Sequence, residues 1–135
     1  MPRPMGPTSP TDARGFDALY GLELAEVGEE LARGHVSVRD ELRQPGGLVH
    51  GGVYAAIADA LAVRGTAAGV ASGGKRAVGF ANHTSVLHPI REGAMHASAR
   101  RRHGGRTTWV WEVEISDDSG RVCGVSRVTV AVRDP

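Results

Sequence analysis

The chain has 135 residues, a net charge of +1 and 23% charged residues. This length suits one domain with its own core, and the near-neutral charge gives no sign of a nucleic-acid or anionic-membrane partner. The single cysteine, Cys123, excludes an internal disulfide and is typical of a reducing compartment. We therefore expect a cytoplasmic protein, and no apolar run approaches the roughly 18 residues of a membrane span.

The N-terminal segment, residues 1–15, contains four of the seven prolines and lacks the apolar core of a signal peptide. We interpret this segment as a disordered lead-in. The rest of the chain, 16–135, is then a single domain.

The first half of this domain combines short strands with one long helix. The Ala-rich composition after the paired glycines favours a helix, and the Pro-Gly-Gly before them favours a loop. The predicted elements are a helical turn at Phe16–Tyr20, strands at Leu22–Val27 and Glu30–Val38 around Gly28, a loop at Asp40–Leu48, a helix at Gly51–Val70 and a break at Ala71–Lys75.

The second half is a series of strands separated by turn signals. The predicted strands are Val78–Leu87, Met95–Arg100, Thr107–Ser116 and Val122–Val132, with turns at Arg91–Gly93, His103–Arg106 and Asp117–Gly120. Links of hairpin length require mainly antiparallel pairing. A helix of about 30 Å can lie across such a sheet, which predicts an α+β domain in which a curved sheet wraps one helix.

The helix start carries the clearest chemical signal. His50 precedes the paired glycines, Gly51 and Gly52, and Asp59 is the only acid in the helix. Unpaired N–H groups at a helix start can polarise a carbonyl, and an acid among apolar neighbours is a candidate nucleophile or base. The apolar flanking residues also argue against exposure of Asp59. Together these features suggest acyl transfer.

The spacing of these groups predicts a shared site. Nine residues separate His50 from Asp59, so the two side chains point to opposite helix faces about 13 Å apart along the axis. One chain therefore does not bring both to the same atom. Two antiparallel helices across a two-fold axis would place Asp59 of one chain against Gly51 of the other, in two equivalent sites.

Simpler interpretations remain open at this point. His50 is also consistent with a helix cap that has no chemical role. The paired glycines are also consistent with close packing alone. Asp59 on an exposed helix would be an ordinary surface charge.

Other chemistries lack their usual patterns. The histidines are scattered and form no metal-ligand motif, so we expect no metal site. A Gly-x-Ser-x-Gly nucleophile motif is absent. The basic run Arg100–His103 has no interleaved aromatics for nucleic acid, and both contact with coenzyme A phosphates and simple solvation stay open for it. Trp109 and Trp111 fall on one strand face and are predicted to be packing residues.

The run Gln44–Gly52, with an acid nine residues beyond His50, resembles the hotdog-fold acyl-CoA thioesterases. The similarity covers about residues 20–132 and includes His103–Arg106, Trp111–Ile115 and Asp118–Cys123. The nearest branch resembles 1,4-dihydroxy-2-naphthoyl-CoA thioesterase, followed by the Arthrobacter-type 4-hydroxybenzoyl-CoA and phenylacetate-pathway thioesterases. This resemblance implies a hotdog fold and hydrolysis of an acyl-CoA, with an aromatic or small acyl group.

The resemblance also implies roles for individual residues. Gln44 would lie by the thioester carbonyl or position water, and His50 would support the loop and contact the thioester. Gly51 would supply the polarising N–H, and Asp59 would be the nucleophile or base. No separate cofactor is implied, because coenzyme A is part of the substrate. The assembly would be a homodimer with shared active sites, commonly doubled to a homotetramer. The matching substrate-binding positions are Gly79, Val86, Leu87, His88, Pro89, His103, Gly104, Gly105, Arg106, Thr107 and Thr108.

Two departures from the family pattern matter. The nearest branch carries Glu at the position of Asp59, so water activation and a covalent anhydride both stay open. The 4-hydroxybenzoyl enzymes carry a hydroxyl where this chain has Val63, so their aryl specificity does not transfer. The alternatives are a thioesterase for acyl-carrier-protein substrates and a non-catalytic acyl-CoA-binding module. A hotdog dehydratase would need a different His and acid motif.

Overall fold

A computed structural model describes residues 13–135. The predicted disordered segment, 1–15, lies outside the described residues except for its last three, among which Ala13 packs partly buried against the core. The helices and strands of the described part are α1 Phe16–Leu19, β1 Glu23–Val27, β2 Leu31–Ser37, α2 Gly51–Val70, β3 Arg76–Val86, β4 Ala94–Gly104, β5 Thr108–Ser116 and β6 Val122–Arg133.

These elements confirm the predicted order, with one difference at the β4–β5 connection. Strand β4 continues to Gly104, so half of the turn predicted at His103–Arg106 is strand. After an irregularity at Arg101, His103 and Gly104 still pair with β5, which extends the ladder beyond the predicted end of the strand.

The strands form one antiparallel sheet in the order β1-β2-β4-β5-β6-β3. Strand β3 follows the helix in the chain but pairs only with β6, so it lies at the edge of the sheet. This edge strand is 11 residues long, and its Phe80 side chain is 74% exposed. A long, apolar, unpaired edge is a template for pairing with another chain.

Helix α2 contacts all six strands of the sheet. A helix is about 10 Å wide, whereas six flat strands would span about 24 Å, so the sheet must curve around the helix. The predicted α+β architecture, a curved antiparallel sheet around one long helix, is thereby confirmed.

The core forms between α2 and the concave face of the sheet. Trp109, Trp111, Val113 and Ile115 alternate inward from β5 and are buried, which confirms the predicted packing face. The Trp111 Nε1–H donates to the Thr66 hydroxyl at 2.9 Å. The helix and sheet approach closely here because a Cβ at Gly65 would lie only 2.5 Å from the Trp111 ring.

One helix, Gly51–Gly73, is long and apolar enough to span a membrane by length and composition. The expectation that no apolar run approaches this length was therefore wrong, because the alanines and valines raise the mean hydropathy of the helix in spite of Asp59 and Arg64. Half of its most apolar stretch is buried inside the fold, as in the core helix of a globular domain.

Candidate active site

The start of α2 presents an open N–H group. His50 caps the helix: its backbone is extended and its Nδ1 accepts the Gly52 N–H at 2.8 Å. Gly51 is the first helical residue and is exposed. Among the described residues, no acceptor takes the Gly51 N–H. This N–H is therefore available to a carbonyl oxygen at the positive end of the helix.

The loop before the helix is closed by its own hydrogen bonds. The Gln44 N–H donates to the Leu48 carbonyl at 2.8 Å, and the Gly47 N–H donates back to the Gln44 carbonyl at 2.9 Å. The side-chain Oε1 of Gln44 accepts the Gly46 N–H. The Gln44 amide is thus folded onto its own loop, and its role beside a thioester carbonyl stays a prediction.

Asp59 lies on the side of α2 next to the edge strand β3. In the single chain its side chain is exposed, which differs from the expectation based on its apolar neighbours. The difference arises because the sheet covers only one side of α2. The carboxylate lies against Gly79, where an added Cβ would be 2.5 Å from Asp59 Oδ1 and 3.5 Å from a Val63 methyl.

A side-chain contact from β3 holds this part of the helix and strand together. The Asn82 Nδ2 donates to the Ala55 carbonyl at 2.9 Å, one turn before Asp59 on α2. Asn82 Oδ1 in turn accepts the Thr84 hydroxyl at 2.7 Å. The analysis of the sequence did not identify Asn82, since its contact with α2 depends on the position of β3.

The surroundings of Asp59 favour its protonated form. Although Asp59 is exposed at the surface of the single chain, its carboxylate is partly desolvated where it lies against β3. This desolvation raises the pKa of Asp59 above its ordinary value, and the negative charge of Asp17 raises it further. Asp17, on α1, accepts the Tyr20 hydroxyl at 3.0 Å and lies 3.4 Å from the Arg64 guanidinium. The sequence predicted the α1 turn but not this cluster, because no local signal ties α1 to α2.

Gly51 and Asp59 do not meet within one chain. Helix α2 is continuous through both residues, so they lie about 12 Å apart along its axis. The single chain therefore carries the two predicted catalytic groups at separate places, as the spacing required.

The segment after β3 lies beside the helix start. A Cβ at Gly51 would be 3.9 Å from a Val86 methyl, and the N–H groups of Leu87 and His88 both donate to the Cys123 carbonyl. The Leu87 side chain is 53% exposed, and Pro89 follows it on the surface. Val86–Pro89, predicted to contact substrate, is therefore next to Gly51 in the same chain.

The β4–β5 connection lies towards the other end of α2. Its Gly105 N–H donates to the Thr108 carbonyl at 2.9 Å, and the following Trp109 ring packs against Gly69 near the helix end. Arg106 and Thr107 are exposed at the tip. The two predicted coenzyme A segments, Val86–Pro89 and His103–Thr108, are thus at opposite ends of the helix in one chain.

A cavity of about 540 Å³ lies beside the helix start. Its lining includes His50, Gly52 and Ala56 from the start of α2, together with Phe16 and Leu19 from α1. No motif in the sequence indicated this cavity. Across residues 13–135, no group of three or more His, Cys, Asp or Glu side chains could hold a metal ion.

Comparisons with known proteins identify the family and the fold of this chain. A family model described as the thioesterase superfamily matches residues 46–124, which include Gly51, Asp59 and Gly79. Rv1847 of Mycobacterium tuberculosis, which bears the name of an esterase, is 36% identical over 94% of this chain and 89% of its own length. The solved structure of Rv1847 superimposes with a TM-score of 0.86, at 35% identity, over 89% of this chain and 97% of that chain.

Two other relatives carry names that state an activity. The 1,4-dihydroxy-2-naphthoyl-CoA hydrolase of Escherichia coli K12 is 29% identical over 82% of this chain and 81% of the relative. The proofreading thioesterase EntH of Cronobacter turicensis is 33% identical over 83% of this chain and 81% of the relative.

Proposed function

The chain belongs to the thioesterase superfamily and is an enzyme with thioesterase activity; from this premise we propose that it hydrolyses an acyl-CoA thioester to the free acid and coenzyme A. In this proposal Asp59 of one protomer acts across a dimer interface on a carbonyl held by Gly51 of the other. One observation carries the proposal: a single helix presents an open N–H at Gly51 and an exposed carboxylate at Asp59, too far apart to act within one chain.

The proposed chemistry follows from these two groups. The Gly51 N–H donates to the thioester oxygen, where negative charge develops as the carbonyl carbon becomes tetrahedral. Asp59 takes a proton from water as the water oxygen attacks that carbon, and collapse of the intermediate breaks the C–S bond and releases the thiolate. Direct attack by Asp59, through an anhydride that water then opens, is the second route. Loss of one such donor costs roughly 3 kcal/mol in other hydrolases.

The edge strand β3 supports the dimer in this proposal. Phe80 and Val78 are 74% and 44% exposed on this unpaired edge. Pairing β3 with its symmetry mate would cover these side chains and continue the sheet into the second protomer. The same two-fold axis would bring the uncovered side of each α2 towards the other, with Asp59 facing the opposite helix start.

The substrate-binding residues also favour a site built from more than one chain. Val86–Pro89 is next to Gly51 and would contact the thioester end of coenzyme A, whereas His103–Thr108 lies at the far end of α2. In the proposed assembly, a neighbouring protomer supplies His103–Thr108, and Arg106 would pair with a phosphate. We also propose a homotetramer in the cytoplasm, with no cofactor beyond the coenzyme A of the substrate.

The acyl group of the proposal is aromatic or small. The E. coli relative is named for an aromatic substrate, 1,4-dihydroxy-2-naphthoyl-CoA. A panel of acyl-CoA and acyl-carrier-protein thioesters, with the released thiol detected by a disulfide dye, would separate coenzyme A from carrier-protein substrates. If no thioester of the panel is hydrolysed, the non-catalytic acyl-CoA-binding module would be the remaining interpretation of this protein.

Three variants test the shared site. Asp59→Asn removes the base and keeps the size of the side chain. Gly51→Pro replaces the N–H by the ring Cδ. Proline is well tolerated at the first helical position, and His50 already has the extended backbone that precedes proline. Gly51→Ala is the matched control because it retains the N–H and its Cβ would meet only Val86, at 3.9 Å. We expect Asp59→Asn and Gly51→Pro each to lower kcat by at least about 100-fold, and we expect neither variant to lower Tm.

Mixing the two inactive variants gives the decisive measurement. If each site takes Asp59 from one protomer and Gly51 from the other, heterodimers of Asp59→Asn and Gly51→Pro contain one intact site of two. Random exchange should therefore restore about a quarter of the wild-type activity. A mixture that stays inactive after verified subunit exchange would refute the shared site, and near-normal turnover by Asp59→Asn alone would refute its catalytic role.

A further inference from the structure

We propose that the cavity between α1 and the start of α2 is the acyl pocket, that it selects a bulky apolar acyl group, and that Phe16 and Leu19 determine this selectivity. The inference rests on the proposed hydrolysis of an acyl-CoA, and it replaces the small acyl groups of that proposal with bulky apolar ones. It assigns a role to α1, a four-residue element outside the catalytic motif.

The position of the cavity connects it to the reacting atoms. His50 and Gly52 line the cavity, and they flank Gly51 on both sides. An acyl-CoA whose carbonyl oxygen accepts the Gly51 N–H would therefore lie beside this cavity. With its coenzyme A on the Val86–Pro89 side, as proposed above, the acyl carbons would face the mouth of the cavity. The next turn of α2 continues the wall through Val53 and Ala56, whose small side chains leave room along the helix.

The size and lining of the cavity favour a large apolar group. Its volume of about 540 Å³ falls within the range of pockets that hold drug-sized ligands and far exceeds the need of an acetyl group. Phe16 and Leu19 line it although they are 69% and 72% exposed in the single chain. Such large exposed apolar side chains beside a reactive group gain free energy when an apolar ligand covers them.

Three charged residues line the cavity, Arg39, Glu41 and Arg43, and both arginines are engaged by protein acceptors. The Arg39 guanidinium donates to the Leu19 carbonyl. Arg43 donates to the Arg91 carbonyl at 2.9 Å and pairs with Asp40 at 2.5 Å. These contacts tie the arginines to protein acceptors, so the pocket recognises apolar surface rather than an acidic acyl group.

Helix α1 is held rigidly enough to act as a wall. Asp17 bridges the buried Tyr20 hydroxyl, at 3.0 Å, and Arg64 of α2, at 3.4 Å. The Phe16 ring packs edge-on against the Tyr20 ring, with centroids 5.2 Å apart. The anchor points face α2, while Phe16 and Leu19 remain open to the cavity. Preorganisation of this kind lowers the entropic cost of binding an acyl chain.

The selectivity test compares acetyl-, hexanoyl-, decanoyl- and benzoyl-CoA on the full chain. We expect kcat/KM to rise up to roughly fourfold per added methylene until the cavity is filled. Phe16→Ala and Leu19→Ala should each lower the decanoyl-to-acetyl ratio of kcat/KM by about tenfold, and Leu19→Trp, which fills the cavity, should lower it at least as much. Val125→Ala is the control: it truncates an exposed apolar side chain on β6, away from the cavity.

A binding measurement separates this inference from the proposed catalysis. A non-hydrolysable decanoyl-CoA thioether should bind Asp59→Asn, and Leu19→Ala in that background should weaken binding by about tenfold. If the thioether binds tightly and binding depends on Leu19, but the wild type hydrolyses no thioester, the acyl-pocket assignment would stand and the proposed reaction would be refuted. If turnover depends on Asp59 but the dependence of kcat/KM on acyl-chain length is unchanged in the α1 variants, the assignment of this cavity as the acyl pocket would be refuted. If the α1 variants instead become monomeric with that profile unchanged, a second copy of the chain is the occupant of this surface and the inference is wrong.

Discussion

The Asp59 carboxylate lies where a side chain at position 79 would stand: a Cβ on Gly79 would be 2.5 Å from Asp59 Oδ1. We therefore expect Gly79→Ala to displace the carboxylate, because the carboxylate is the movable end of a flexible side chain and the strand backbone is not. The displacement should lower kcat by roughly 10- to 100-fold, and KM should change little.

The stability of this variant is the second readout. Gly79→Ala should shift Tm by less than about 4 °C, since only the end of one side chain must move. Gly73→Ala is the matched control because its Cβ would meet only Lys75, at 3.9 Å, and it should retain wild-type kcat. If Gly79→Ala retained wild-type kcat, the close approach of Gly79 would not matter for the catalytic role of Asp59, and the prediction would be refuted.

The charge of Asp17 should tune the pH dependence of hydrolysis. Burial and then the negative charge of Asp17 raise the pKa of Asp59. The ionised base is lost as pH falls through that raised value, so the acid limb of kcat/KM should lie above the pKa of an ordinary aspartate. Asp17→Asn removes the repulsion and should move the limb to lower pH, while Asn can still accept the Tyr20 hydroxyl. An acid limb of kcat/KM that stays at the same pH or moves to higher pH in Asp17→Asn would contradict this electrostatic coupling.

The same shift predicts how stability depends on pH. Because the folded state disfavours ionised Asp59, this group stabilises the fold fully below the unfolded pKa of about 3.9. That contribution is lost as pH rises through the higher folded pKa. Asp59→Asn should therefore raise Tm at neutral pH, and the gain should vanish at acidic pH, as thermal melts across that range would measure. A Tm that falls at neutral pH would indicate a stabilising partner of the charge.

The exposed edge of β3 should be required for assembly. Phe80→Asp places a charge in the middle of the strand that we propose pairs with its mate, and it should yield a monomer by light scattering with at least about 100-fold lower turnover. Ala25→Asp adds the same charge to the exposed surface of β1, at the other edge of the sheet, and should change neither property. A fully active Phe80→Asp monomer would refute the shared site.

His50 has an observed structural role that can be separated from a chemical one. Its Nδ1 accepts the Gly52 N–H at 2.8 Å, so His50→Ala should destabilise the fold by about 1 kcal/mol. His50→Asn supplies another cap acceptor and should restore both Tm and kcat if capping is the whole role. Recovery of Tm without recovery of kcat would instead place the imidazole at the thioester.

The local features of this protein could be predicted from the sequence because they depend on neighbouring residues. The alternation of Trp109, Trp111 and Val113 identified the buried face of β5, and the paired glycines after His50 identified the start of α2. Helical spacing alone separated Gly51 from Asp59, since rise per residue is a constant of the α-helix.

The features that depend on distant parts of the chain required the tertiary structure. Strand β3 pairs with β6, some 45 residues later, and nothing in the local pattern distinguishes that partner from β4. This pairing puts Gly79 against Asp59 and leaves Phe80 on an open edge. The packing of α1 over α2 likewise creates a cavity from residues that are far apart in the sequence, so the sequence gives no sign that they are in contact. Local periodicity thus determined the helices and strands and the spacing of Gly51 and Asp59. Long-range packing decided which other parts of the chain lie against these two residues.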